Sequence, residues 1–351
     1  MRSPATFIFS VACGSALIAG LCLRGHALGD SPAAAGAAER RLAIFYTAEI
    51  HGTLEPCGCT SDPLGDIARY AALVRAARAR GTATLLVDAG GMLYGEGGIS
   101  AKERPADDLR ARFLADELGK LGLRAAALAE TDLVAGAGAV QPPRLASNLG
   151  ASAALAPAHV ETIGDIKVGL LGVADPALGA ALGVTAEEAM RAAQRDVEKL
   201  RRAGAEIVVL LAPIDRGGAR RLAREAGADF VVAGRQVGRG MARAEKIGAA
   251  YLLQPADELQ RVGRVDLVLR GGAARPLVDA GGADANQARA EEVDRALKRL
   301  DEDLARWSSS DGGGGGGGGG EASFIAAKRA ERAELVAERT RLSQPFAPPA
   351  T

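Results

Sequence analysis

An acidic and an imidazole side chain follow closely after the apolar run at residues 43–46. Residues 43–46 are apolar, with β-branched and aromatic members, and they are followed by Glu49 and His51, two positions apart. Beyond Pro56 and a polar turn, a regular apolar pattern resumes at Leu64, which predicts a strand, a loop and a helix in that order. A carboxylate and a histidine at a strand end are typical of a divalent-metal or catalytic site.

Carboxylates also follow two later strands that the sequence predicts. The apolar segment 82–87 ends at Asp88, and the segment 124–129 leads into Glu130 and Asp132. In α/β proteins, ligands bind in the crevice outside the carboxyl ends of the strands. Glu130 and Asp132 are therefore candidates for the same site as Glu49 and His51.

Apolar spacing predicts alternating strands and helices along most of the chain. Short runs rich in Val, Ile and Leu predict strands over 42–48, 82–87, 124–129, 158–163, 166–173, 206–211, 229–233, 249–254 and 262–270. Apolar residues three and four apart predict helices over 64–77, 106–121, 185–203 and 218–226. The last two strands are expected to be antiparallel to each other. The whole pattern favours an α/β core with a mixed sheet system.

The N-terminal segment 1–27 is typical of an export signal, with Arg2 before an apolar stretch over 7–23. Export to the periplasm is the expectation. Lipoprotein processing or a retained N-terminal anchor is less favoured, and no stable membrane span is expected after cleavage. An Ala- and Gly-rich flexible linker is predicted over 28–40, followed by one domain over 41–275. Because Lys plus Arg and Asp plus Glu both number 43, the charge balance argues against nucleic acid as a partner.

A helical hairpin is predicted over 286–343. Its first helix carries apolar residues spaced alternately four and three apart, namely Val293, Leu297, Leu300, Leu304 and Trp307. This spacing predicts a coiled-coil seam, and the nine glycines of 312–320 predict a flexible link to a second, highly charged helix. A Pro-rich tail occupies 344–351. The hairpin is the expected contact surface for a protein partner whose identity the sequence does not give.

Cys57 and Cys59 are the two cysteines that remain once the predicted signal is removed. A disulfide across one intervening residue is a strained small ring and hence more reducible. The pair can also contact a metal or a redox partner, or stay as free thiols, although two thiolates fall short of a structural zinc set. The chain has no Cys-x-x-Cys-His motif, so covalent c-type haem is not expected.

An ordered set of motifs between residues 42 and 270 resembles the calcineurin-like metallophosphoesterases. The motifs are Thr47–Gly52, Glu55–Cys59, Leu64–Arg69, Leu85–Gly90 and Ala146–Leu149. The branch that the chain most resembles is that of the exported 5'-nucleotidase-like proteins, including a subgroup associated with multihaem cytochromes that carries the same Cys-Gly-Cys loop. The resemblance implies a four-layer sandwich of two mixed β-sheets flanked by helices, here followed by the helical hairpin.

The family resemblance also implies two divalent metals, held by Asp, His and Asn side chains, that activate a water to attack a phosphoester. His51 matches this ligand set, and Glu49 replaces its first Asp. The other expected ligands are replaced: Gly91 occupies the place of a bridging Asp, Glu130-Thr131-Asp132 that of Asn-His-Asp, Ala212-Pro213 that of a His, and Arg235-Gln236-Val237 that of His-x-His. The sequence therefore predicts a degenerate metal site.

Three functional hypotheses remain open. The first is an exported protein whose phosphoester hydrolysis is reduced or lost and which has a binding or scaffolding role. The second is an active phosphoesterase with an altered site, in which Glu49, His51 and Glu130 hold one Mn or Mg ion, and His51 and Asp132 are catalytic. The third is a redox accessory that uses the Cys-Gly-Cys loop, with a multihaem cytochrome as its partner.

A simpler interpretation of the same side chains requires no metal at all. Glu49 and Glu130 are then strand-end carboxylates that are exposed or cap helices, and His51 is a hydrogen-bonded loop residue. Arg235 pairs with one of these glutamates, recognises an anion or is a plain surface arginine.

Overall fold

A computed structural model of the chain describes residues 39–56, 64–95, 99–235, 238, 240–269, 277, 279, 282–309 and 320–343. All of them belong to one of the two units into which the chain divides, residues 38–351. The predicted signal 1–27, nearly all of the predicted linker, Cys57, Cys59, most of the glycine run and the tail 344–351 lie outside the described residues.

The strands of the described part alternate with helices along the chain. The strands are β1 (Arg40–Thr47), β2 (Ala83–Asp88), β3 (Leu123–Ala126), β4 (Arg144–Leu145), β5 (Leu155–Ala156), β6 (His159–Ile163), β7 (Ile166–Gly172), β8 (Ile207–Ala212), β9 (Phe230–Ala233), β10 (Glu245–Ile247), β11 (Ala250–Leu253) and β12 (Gly263–Leu269). The helices are α1 (Ile67–Ala79), α2 (Arg104–Leu121), α3 (Leu178–Leu182), α4 (Ala189–Arg202), α5 (Arg216–Glu225), α6 (Gly282–Ser309) and α7 (Gly320–Leu342).

Two mixed sheets form the centre of the fold. The first has the strand order β12-β1-β2-β3, in which β1, β2 and β3 are parallel and β12 is antiparallel to β1. The second has the order β10-β11-β9-β8-β7-β6, with four parallel strands in the middle and an antiparallel strand at each edge. A short parallel pair, β4 and β5, forms a separate small sheet.

The main core lies between the two sheets. Alternate side chains of β1 and β2, such as Ile44 and Val87, pack there against Val209 and Val232 from the second sheet. The opposite face of the first sheet is covered by α1 and α2, and the opposite face of the second by α4 and α5. This burial on both faces explains the nearly continuous apolar runs of the parallel strands. The predicted four-layer sandwich is confirmed.

Helices α6 and α7 contact each other and run antiparallel. Two ion pairs join them, Asp294 to Arg339 at 2.7 Å and Asp301 to Arg332 at 2.5 Å. The two acidic partners are one heptad apart on α6, and the two arginines are one heptad apart in the opposite order on α7. Among the apolar residues of the seam on α6, Val293 and Leu300 are buried.

The structure corrects the pairing that the sequence predicts for the last two strands. β11 and β12 lie in different sheets: β11 is parallel to β9, whereas β12 reaches back to the start of the chain and pairs antiparallel with β1. Strands β6 and β7 are antiparallel neighbours, joined by a tight turn at Gly164 and Asp165.

Candidate functional site

A cleft opens where the carboxyl ends of parallel strands from both sheets meet. Its volume is about 460 Å³. Its lining comes from the segments after β1, β2, β3, β7, β8 and β9, namely Glu49, Gly91, Leu128, Ala129, Glu130, Thr131, Val134, Asp175, Leu178, Pro213, Gly234 and Arg235. The cleft therefore occupies the position at which α/β folds bind their ligands.

The loops after β1 and β2 run side by side at the floor of this cleft. The backbone N–H of Glu49 donates to the carbonyl of Gly90 at 2.8 Å, and that of His51 donates to the carbonyl of Gly91 at 2.9 Å. Glu49 and His51 both have a left-handed backbone, with φ of 47° and 54°. Non-glycine residues are rare in this region and need support from their surroundings. The neighbouring loop supplies that support.

Gly91 marks the position at which the family resemblance implies a bridging aspartate. A Cβ at this position would lie 3.2 Å from the Cα of Glu49, 3.3 Å from its Cγ and 3.4 Å from Oγ1 of Thr131. The φ of Gly91 is 76°, which favours glycine over a residue with a side chain. Glu49 and Thr131 thus flank the place where a side chain is missing.

His51 faces a different cavity from Glu49. That second cavity has a volume of about 170 Å³ and is lined by His51, Gly52, Leu93, Tyr94, Gly95, Ile99, Asp107 and Arg110. Among the described residues that line it, neither Glu49 nor Glu130 occurs. His51 also lies close enough to Asp257 to oppose the rise in the pKa of that carboxyl, which burial and the charge of Glu258 cause.

Asp132 is fully buried beneath the cleft and holds the surrounding loops. Its carboxylate accepts hydrogen bonds from the backbone N–H groups of Ala129, Met92 and Gly91, at 3.0, 3.2 and 3.3 Å. Oδ1 of Asp132 lies 3.5 Å from Nη2 of Arg144, whose side chain is also fully buried. Nη1 of Arg144 donates to the carbonyl of Pro142. The structure thus places this predicted catalytic carboxylate in a buried ion pair.

Asp88 is a second fully buried carboxylate at the strand ends. It accepts hydrogen bonds from the hydroxyl of Thr47 at 2.7 Å and from the backbone N–H of Gly90 at 2.8 Å. Burial raises the pKa of Asp88 to about 7, because these hydrogen bonds and the charge of Arg144 only partly offset the loss of hydration.

Glu130 and Arg235 are exposed side chains of opposite charge that line the same cleft. The structure shows no hydrogen bond or ion pair between either of them and another described residue. Arg235 therefore does not form the ion pair with Glu49 or Glu130 that was one of the sequence-based options.

The side chains of the described residues do not gather into a two-metal centre. Within the described residues, no three His, Cys, Asp or Glu side chains form a group that could hold a metal ion. Glu49 and Glu130 share the cleft, but His51 lines the other cavity and Gly91 offers no ligand atom. Cys57 and Cys59 lie outside the described residues, so their predicted metal or redox role stays a prediction.

Sequence reasoning missed two residues of this region. Asp175 follows strand β7 and lines the cleft, and the rule that selected the other strand-end carboxylates would have selected it as well. Arg144 lies between Pro-rich and apolar residues, and no pattern in the sequence indicates that it is buried against Asp132.

This arrangement of two sheets and one strand-end cleft is the fold of the calcineurin-like phosphoesterases and 5'-nucleotidases. A calcineurin-like phosphoesterase of Bacillus subtilis superposes with a TM-score of 0.53 and 19% identity, over 67% of this chain and 87% of its own. A 5'-nucleotidase precursor of Thermus thermophilus gives 0.53 and 22%, over 74% of this chain and 60% of its own. An NAD nucleotidase of Haemophilus influenzae gives 0.53 and 14%, over 66% and 48%.

These superpositions show a shared fold. The chain spans 60% and 48% of the length of the two nucleotidases that it matches. No protein-family model matches the sequence, and no curated protein sequence matches it significantly. No helix in the part of the chain that the structure describes combines the length and the apolar character that a bilayer span requires.

Proposed function

We propose that this chain is an exported protein of the 5'-nucleotidase-like fold that uses its strand-end cleft to bind a ligand rather than to hydrolyse a phosphoester. One observation carries the proposal: the strand ends that would hold two metals contribute Glu49, Gly91, Glu130 and Arg235 to the cleft, whereas His51 lines a separate cavity. Phosphoester hydrolysis of this class depends on metal ions that neutralise charge and activate water. A cleft whose described residues offer no cluster of metal ligands would lose that chemistry and keep a charged cavity that can bind a ligand.

Export is part of the proposal and is supported by the N-terminal sequence alone. The charged outer surface of the antiparallel pair α6 and α7 is proposed as the contact for a protein partner, since Val293 and Leu300 of its apolar seam are already buried.

Metal content and hydrolysis together test the proposal. We expect the purified full chain, incubated with Mn²⁺ and then desalted, to retain far less than one metal per chain. We also expect it to hydrolyse an aryl phosphate no faster than the buffer does.

The alternative, a phosphoesterase built on Glu49, His51, Glu130 and Asp132, predicts the opposite result. Stoichiometric Mn²⁺ together with turnover that His51→Ala abolishes would overturn the binding proposal. His159→Ala is the matched control, because His159 is a partly exposed histidine at the start of β6, outside both cavities, whose ring Nδ1 lies 3.1 Å from the carbonyl of Pro157.

A further inference from the structure

Strand β12 is an open edge of the first sheet. It pairs antiparallel with β1 and has no second strand neighbour among the described residues. Its seven residues make it longer than β3, β6 and β10, the other edge strands of the two large sheets, which have four, five and three. A long edge presents backbone N–H and C=O groups to which another strand can add.

The two faces of β12 differ in character. Leu267 is buried in the core between the sheets, where Val265 also packs. On the opposite, outer face, Arg264, Asp266 and Val268 are exposed. The guanidinium of Arg264 is paired with the carboxylate of Asp266 at 2.6 Å, and both side chains remain partly open to solvent. The outer face therefore carries two neighbouring charges of opposite sign.

These charges make the strand complementary to a second copy of itself in one register. A two-fold axis through Val265 brings Arg264 of each copy opposite Asp266 of the other. It also brings Val268 opposite Val262, a half-buried residue that packs on the same face. Opposite charges and β-branched residues that face each other across two antiparallel strands are favourable pairs.

The neighbouring registers are unfavourable. An axis through Arg264 or through Asp266 sets that charge opposite its own copy, and like charges directly opposite are destabilising. An axis between two residues would turn the core face of the second copy outward, because a one-residue slip exchanges the two faces of a strand. The sequence of β12 thus selects the register centred on Val265.

Charged residues on an edge strand can also serve to prevent pairing. Such a charge acts when it meets a like charge, or when the incoming strand buries it without a partner. In the register centred on Val265, the second copy brings the opposite charge to each position, and both charges lie on the outer face. They therefore do not oppose self-pairing.

We propose that two copies of this chain pair antiparallel through β12, with the two-fold axis at Val265, so that their two four-stranded sheets become one continuous sheet. Such an interface is isologous, because both copies use the same strand, and the pairing closes at the dimer. The inference concerns assembly and is independent of the ligand that the cleft binds.

Sedimentation equilibrium of the purified full chain measures its mass in solution and tests the inference. We expect a concentration-dependent dimer. Arg264→Asp makes both outer charges of the strand acidic, and Asp266→Arg makes both basic. Each change should weaken self-association about ten-fold or more, because two symmetric ion pairs of the interface become repulsive.

An equimolar mixture of these two single variants tests the register itself. The acidic strand of one chain then lies opposite the basic strand of the other, so a mixed dimer should form with an affinity within about three-fold of that of the unchanged protein. The double variant, Arg264→Asp with Asp266→Arg, keeps opposite charges opposite each other and should also dimerise.

Matched controls separate the strand from a general charge effect. Arg75→Asp on α1 and Asp116→Arg on α2 make the same changes at exposed helix positions and should leave dimerisation unchanged. Circular dichroism spectra that match that of the unchanged protein show that each single variant folds.

Three outcomes would overturn the inference. The first is a chain that stays monomeric at about 0.1 mM, where a dimer of even modest affinity forms; the edge would then be left to a strand of another protein. The second is a dimer that both single variants retain, because its interface would then lie elsewhere, such as on α6 and α7. The third is a mixture of the single variants that associates no better than either one alone.

Discussion

At the scale of single residues, the buried pair of Asp132 and Arg144 is the feature on which the cleft most depends. Both side chains are fully buried, and Asp132 ties together the backbone at Gly91, Met92 and Ala129. A buried charge is tolerable only while it is paired and hydrogen-bonded, because the loss of hydration is large. The carboxylate therefore holds the cleft floor, and the arginine makes its burial possible.

We expect Arg144→Met to destabilise the protein by about 3–5 kcal/mol, because it leaves Asp132 buried without its cation. Urea unfolding followed by circular dichroism measures the change. Arg75→Met, on the exposed face of α1, is the control and should change the free energy of unfolding by less than about 0.5 kcal/mol. A loss in Arg144→Met no larger than in this control would show that the pair contributes little.

The residue scale also shows how far the sequence could predict the site. Glu49 and Glu130 lie in one cleft, as strand-end reasoning predicts. The spacing of Glu49 and His51 would place both on one face of an extended strand. Since both residues instead have positive φ, the chain turns between them and His51 enters another cavity. The sequence pattern does not predict these two left-handed backbone conformations.

At the scale of elements, Gly234 at the end of β9 packs closely against the backbone at the end of β2. A Cβ on Gly234 would lie 2.1 Å from the carbonyl oxygen of Ala89. This close approach brings the two sheets together at the cleft floor and sets the position of Arg235, the next residue. Only glycine allows the backbones to come so near.

We expect Gly234→Ala to push the two strand ends apart and to lower the free energy of unfolding by about 1–3 kcal/mol, as overpacking does elsewhere. Thermal and urea unfolding measure the loss. Gly138→Ala is the control, because a Cβ at that glycine meets no atom within 4 Å. Similar stability of the two variants would mean that the strand ends can move apart freely.

Helices α6 and α7 offer a second prediction at this scale. The double change Asp294→Arg and Asp301→Arg places like charges opposite Arg339 and Arg332. We expect α7 to separate from α6 and limited proteolysis of α7 to become several-fold faster, because like charges across a helix pair repel. Adding Arg332→Asp and Arg339→Asp restores opposite charges and should restore protection. Cleavage at the same rate in all three proteins would contradict this register.

At the scale of the whole molecule, the layers were predictable and some of their connections were not. Apolar runs flanked by amphipathic helices predict buried parallel strands covered on both sides, which is what the two sheets show. β12 pairs with β1, from which it is separated by most of the domain sequence. Local periodicity does not specify pairing between segments so far apart in the sequence. The sequence therefore predicts the four layers better than the order of the edge strands.

Two buried or partly buried carboxylates give the molecule opposite responses to pH. Asp88, with a pKa raised to about 7, keeps its proton in the folded state at a pH where the unfolded chain has lost it. Glu206 forms a two-bond ion pair with Arg40, at 2.6 and 3.1 Å, which joins the starts of β8 and β1. This ion pair lowers the pKa of Glu206. Its stabilisation is present above the unfolded pKa near 4.5 and is lost on further acidification.

We expect the free energy of unfolding to be greatest between about pH 4 and pH 5 and to fall by about 2–4 kcal/mol between pH 5 and pH 8, because the folded state still holds the Asp88 proton that the unfolded chain has already released. Urea unfolding at intervals from pH 3 to pH 9 measures the curve. In Asp88→Asn the neutral amide removes the titration, so the decline should flatten while the loss below pH 4.5 persists. Asp116→Asn, on the exposed side of α2, should leave the whole curve unchanged. An equally steep decline in Asp88→Asn would show that another group binds this proton.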